Sequence, residues 1–97
     1  MTQAPDRATG SDAVKNMTDL VIEIARALVD NPDDVKVESY ADRDGTVLRL
    51  HVAQQDLGKV IGKHGRTARS LRTILTAASM KMKHRFSLDI QEDDAQS

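Results

Sequence analysis

Val14, Met17, Val21, Ile24 and Leu28 recur at alternating steps of three and four, the spacing that lines one face of an α-helix. Leu20 and Ala25 widen that stripe. Ahead of it, residues 1–11 are polar, contain Pro5, Gly10 and Ser11, and show no periodicity, which predicts a flexible N-terminal tail. Ser11 or Asp12 is placed to cap the helix, and Asn31-Pro32 ends it, because the residue before a proline is pushed out of the helical region.

The period then changes to two. Val35, Val37 and Ser39 alternate with Lys36, Glu38 and Tyr40, and Thr46, Leu48, Leu50 and Val52 alternate with Val47, Arg49, His51 and Ala53. The turn-rich Asp42-Arg43-Asp44-Gly45 between them predicts a β-hairpin. Asp56 is placed to cap a short helix through Ile61. After Gly62-Lys63-His64-Gly65, the helical period returns at Ala68, Leu71, Leu75, Ala78 and Met82. Phe86, Leu88 and Ile90 alternate as a third strand, and 92–97 form an acidic C-terminal tail.

The element order is therefore α-β-β-α-α-β. A strand that leaves through helices and returns makes a right-handed crossover into a parallel neighbour, so the last strand should lie parallel to the second while the first two pair antiparallel. The expectation is an α+β fold, a three-stranded mixed sheet with three helices packed on one face. Residues 12–91 form one domain, without repeat or linker.

Composition narrows the function. A chain of 97 residues buries only about 60 to 65% of its unfolded surface. With one Tyr, one Phe and no Trp, aliphatic side chains must fill the core, which argues against binding by aromatic stacking. The absence of cysteine excludes disulfides and thiolate metal sites. No secretory signal or apolar stretch of the roughly 20 residues that span a bilayer is found, so the expected location is the cytoplasm.

The net charge of -1 hides a segregation: residues 1–57 sum to -5, 58–85 to +8 with no acid at all, and 86–97 to -4. A local positive field survives a neutral total. That basic segment opens on Leu57 to Leu75, where a helix-forming sequence is broken by two glycines, each costing a helix interior about 1 kcal/mol relative to alanine. Glycines at both ends of Gly62-Lys63-His64-Gly65 permit torsions closed to other residues and let another chain approach without meeting a Cβ. The N-terminus of the following helix presents unpaired amides that favour phosphate. Lys63 and His64 stand at the tip, and Arg66, Arg69 and Arg72 follow at steps of three. Together these suit a phosphate-backbone clamp rather than a base-reading device.

The run Val60-Ile61-Gly62-Lys63-His64-Gly65-Arg66-Thr67-Ala68-Arg69-Ser70-Leu71 resembles the signature of the K-homology, or KH, RNA-binding domain, with Gly62-Lys63-His64-Gly65 as its G-x-x-G core. The element order is similar to the type II KH fold, and chain length and wording resemble small bacterial single-KH proteins over roughly residues 14–91. KH loops clamp the backbone of about four single-stranded nucleotides. The resemblance implies that Gly62, Lys63, His64 and Gly65 hold RNA backbone, that Val60, Ile61 and Ala68 lie near an aliphatic groove for bases, and that Arg66, Thr67, Arg69 and Arg72 belong to the same surface. It also implies a homodimer, or a heterodimer with a larger KH-containing protein, and post-transcriptional action on many RNAs.

The bland readings stand beside this one. A lone G-x-x-G also fits a tight interhelical turn with a solvated basic face. His64 is either a pH-sensitive phosphate contact or a tolerated polar residue, and Lys81, Lys83 and Arg85 either extend the RNA-facing surface or form a solvated helix end favoured by the dipole. Met17, Met80 and Met82 fill a core or an interface. A P-loop is excluded: Gly58 to Gly62 encloses three residues where four are needed, and His64 follows Lys63 in place of Ser or Thr. Asp42 and Asp44 make a turn rather than a calcium loop. His51 and His84 have no third ligand nearby, so no metal or other cofactor is implied. No nucleophile and base are paired, which argues against an enzyme, a small-molecule substrate or a membrane partner. The expected function is single-stranded RNA binding, with a KH-fold protein-interaction subunit that docks to another KH protein or the ribosome as the alternative.

Overall fold

The structure is a computed structural model that describes residues 9–91, and side chains from residue 12 onward. The tail expected at 92–97, and most of that expected at 1–11, lies outside the described residues. The elements are α1 (Thr9–Leu28), β1 (Lys36–Asp42), β2 (Gly45–His51), α2 (Leu57–Ile61), α3 (Arg66–Met82) and β3 (Arg85–Ile90). The strand order is β1-β2-β3, antiparallel between β1 and β2 and parallel between β2 and β3, as the crossover argument requires.

Register follows the alternation. Phe86, Leu88 and Ile90 stand opposite Thr46, Leu48 and Leu50, and all six side chains are buried beneath the helices. The helices supply Met17, Val21 and Ala25 from α1, Val60 from α2, and Ala68, Leu71 and Leu75 from α3. The α3 stripe is the one the 3.6 period marks, with Ala78 and Met82 packed at its edge. β1 is less covered: Val37 is half-buried and the strand is exposed from Glu38 onward.

Three expectations need correction. On α1 the buried line is Ala13, Met17, Val21 and Ala25, at steps of four, while Leu20 and Leu28 remain 36% and 37% exposed. Alanine at two of these positions lets the helix sit close to its neighbours, and Leu20, Ile24 and Leu28 then fall about 100° to one side. The helix also begins at Thr9 rather than after a cap at Ser11 or Asp12. Met80, expected in a core or an interface, is 75% exposed, which leaves only the second of these.

The third correction concerns Asp56. It precedes α2 as expected, but its side chain makes no cap bond there. The carboxylate is buried and reaches back to the end of α1, accepting hydrogen bonds from Asp30 N (3.3 Å), Asn31 N (3.0 Å) and Asn31 Nδ2 (3.0 Å). Burial pushes its carboxyl up, but the Asn31 side chain and the two backbone amides outweigh burial and hold it below the ordinary carboxylate range. It ties the turn after α1 to the start of α2.

Candidate nucleic-acid interface

The break between α2 and α3 is one left-handed excursion after another. Gly62 (φ 79°), His64 (φ 58°) and Gly65 (φ 73°) all have positive φ, with Lys63 between them. The two glycines serve different ends. A Cβ on Gly62 would collide with the Thr67 side chain, whereas one on Gly65 would meet nothing within 4 Å. Gly62 is thus required by the chain's own packing against Thr67, while the space in front of Gly65 is open.

The tip is exposed at Lys63 and His64. Gly62 and Gly65 are linked by a hydrogen bond from Gly65 N to Gly62 O (3.0 Å), which closes the turn. Beside it a cleft of about 560 Å³ runs between α3 and β3, lined by Ile61, Gly65, Ala68, Arg69, Arg72 and, from the strand, Asp89 and Ile90. Ile61, Ala68 and Ile90 give it an aliphatic side. Arg69 and Arg72 give it positive charge. Asp89, the one acid in the lining, is engaged by Arg49 Nε at 3.0 Å, and Arg49 in turn lies over the Tyr40 ring. No ion pair among the described residues involves Lys63, Arg66, Arg69 or Arg72.

A family model described as the KH domain of KhpA/KhpB matches residues 18–90. The chain belongs to that family. It is 51% identical over 74 residues to the RNA-binding protein KhpA of Halalkalibacterium halodurans, covering 76% of this chain and 97% of the relative. Against the RNA-binding protein KhpA of Treponema pallidum it is 49% identical over 72 residues, 74% of this chain and 90% of the relative. The fold agrees, since the α-β-β-α-α-β order with a mixed three-stranded sheet is that of a type II KH domain.

Most of the residues expected at the site meet here. Ile61, Gly65, Arg69 and Arg72 line the cleft, and Gly62, Lys63 and His64 stand beside it in the loop. Arg66 is exposed in the first turn of α3 outside the lining, and Thr67 is occupied in packing over Gly62. Val60, expected near the groove, has a wholly buried side chain and is not part of the cleft lining. Sequence reasoning did not find Asp89 or its partner Arg49, which are 40 residues apart; their facing positions in the β2-β3 register were the available signal. Among the described residues no group of three or more His, Cys, Asp or Glu side chains could hold a metal ion.

Proposed function

We propose that this chain binds single-stranded RNA and acts in the cytoplasm as a post-transcriptional regulator or RNA chaperone, through a KH domain spanning residues 12–91. In this reading Lys63, His64 and the amides of the Gly62–Gly65 turn meet phosphates, Gly65 admits the RNA backbone, and bases enter the cleft beside Ile61 and Ala68. Arg66, Arg69 and Arg72 add phosphate contacts along α3. The observation that carries the reading is the juxtaposition of an open left-handed glycine with an aliphatic cleft whose arginines have no acidic partner among the described residues. The relatives' name, RNA-binding protein, supports it. The role needs binding and release, with no cofactor and no reaction.

Replacing Lys63 and His64 together with Asp tests it. Two added negative charges at the phosphate contact should weaken binding of a short single-stranded RNA at least about tenfold, and the wild-type affinity should fall with salt at about -0.7 in log K against log salt per phosphate neutralised. Unchanged gel-shift affinity in a variant that keeps its circular dichroism spectrum would overturn the proposal.

A second reading, pairing with a copy of this chain or docking to a larger KH-containing protein, is favoured by Ile74. This residue is 44% exposed and lies about 200° around α3 from Arg72, away from the cleft. An Ile74→Asp variant should lower the average mass in sedimentation without lowering the affinity of a single chain for RNA.

A further inference from the structure

The cleft beside the glycine loop does not end at Arg72. The same arginine lines a second and larger cleft of about 820 Å³, formed by the C-terminal half of α3 and the first half of β3. Its floor is apolar, from Leu75, Phe86 and Leu88, and Lys83 and Arg85 stand at its far end. Along α3, Arg69, Arg72, Thr76 and Ser79 fall at steps of three, four and three, which places them on one flank of the helix, and Lys83 follows as its left-handed C-cap. Each of them lines one cleft or the other. A single polar and basic flank therefore runs the length of α3, facing the edge strand β3.

Charge favours an anionic occupant. Arg72, Lys83 and Arg85 face one acid, Asp44, and no ion pair among the described residues neutralises any of the three cations. His84 is held in place by a 2.8 Å hydrogen bond with the Thr46 hydroxyl and by the Phe86 ring, 4.9 Å away between centroids. Ser79 Oγ accepts from Phe86 N at 2.9 Å, pinning the end of α3 to the start of β3. The walls are thus fixed in advance of any ligand.

We propose that this second cleft is a subsite for the continuation of the same RNA strand, taking two or three nucleotides beyond those held near the glycine loop, with Lys83 and Arg85 contacting their phosphates. The inference rests on the RNA-binding reading above. From Arg72 to Lys83 the helix advances about 16 Å. Even a strand drawn out to about twice its stacked rise of 3.4 Å places two nucleotides in that length. Continuity through Arg72 selects an RNA strand over an acidic peptide, which has no reason to end where the first cleft begins.

The test compares an unstructured tetranucleotide with an octanucleotide of the same base composition, by fluorescence anisotropy on the full chain, with stoichiometry fixed by titration at high concentration. Wild type should bind the octamer one to one and about twentyfold or more tighter than the tetramer, beyond the roughly fivefold that additional registers supply. The variant Lys83→Gly/Arg85→Gln should lose that excess and reduce the octamer's salt slope by about 1.4, two phosphate contacts at about 0.7 each, while binding the tetramer as before. Lys83 has φ 55°, where glycine is at ease, so the variant keeps its fold. A gain no larger than the register factor, a gain that survives in the variant, or an octamer carrying two chains overturns the subsite. Failure of the RNA-binding reading itself is separate: it appears as no binding of either oligonucleotide.

Discussion

At Gly62 a methyl group would strike Thr67, while at Gly65 it would point into open space. Both positions have positive φ, so alanine at Gly65 costs only the left-handed strain, about 1–2 kcal/mol, and alanine at Gly62 adds a steric clash to it. Urea unfolding should rank Gly62→Ala as the more destabilising of the two. RNA affinity should report the opposite emphasis: Gly65→Ala leaves a mostly folded protein whose added Cβ stands where the RNA backbone approaches, so its affinity falls by more than its lost stability explains. A Gly65→Ala variant with wild-type affinity would remove Gly65 from the proposed contact.

Among elements, the tie between α1 and α2 is set by Asp56. Because its carboxyl is held below the ordinary range in the folded state, its contribution is fully present above the unfolded value of about 4 and is lost as pH falls through the lower folded value. The thermal midpoint of the wild type should therefore drop as pH goes from 5 towards 3. Asp56→Asn, which keeps one acceptor oxygen and loses the charge, should melt lower at pH 7 and show a shallower decline with acid. A decline of equal steepness in both proteins would assign the acid sensitivity elsewhere.

The same elements show what the sequence made legible and what it did not. The two-residue period of Phe86, Leu88 and Ile90, and the helical period of Ala68, Leu71 and Leu75, each mark a buried face that the structure keeps, because burial of one face is what imposes the period. On α1 the large residues misdirected the reading. Leu20 and Leu28 widen the apolar stripe in sequence, but alanine at 13 and 25 decides how closely the helix packs, and periodicity weighs a small side chain lightly. Asp56 reads locally as a helix cap, since its true partners are 25 and 26 residues away. The glycine loop was legible because its torsions demand glycine; the extent of the clefts was not, because it depends on how β3 lies along α3.

For the whole molecule, what matters is that a chain of net charge -1 confines its acid-free positive stretch to residues 58–85. Both clefts draw their cations from that stretch, while Glu38 and Asp42 of β1 line neither cleft and Asp44, in the turn, borders the larger one. A rigid duplex presents phosphates on all sides and cannot enter a cleft bounded by an edge strand. Double-stranded RNA should therefore bind at least about tenfold more weakly than a single strand of the same length at 0.15 M salt, measured by competition. Among the described residues no helix is long and apolar enough to cross a membrane.

The parallel pairing of β2 with β3 has a consequence in time. Gly45 faces Arg85 across that ladder, so residues 40 apart in sequence meet only after the segment between the two strands has been made and folded into two helices, a closure of the slow, non-local kind. β3 is also one wall of each cleft. During synthesis the glycine loop and the arginines of α3 emerge first, but the trough they border has no second side until residues 85–90 have left the ribosome and docked. A growing chain thus carries its basic residues without a formed groove, and the groove is complete only when the last strand is placed.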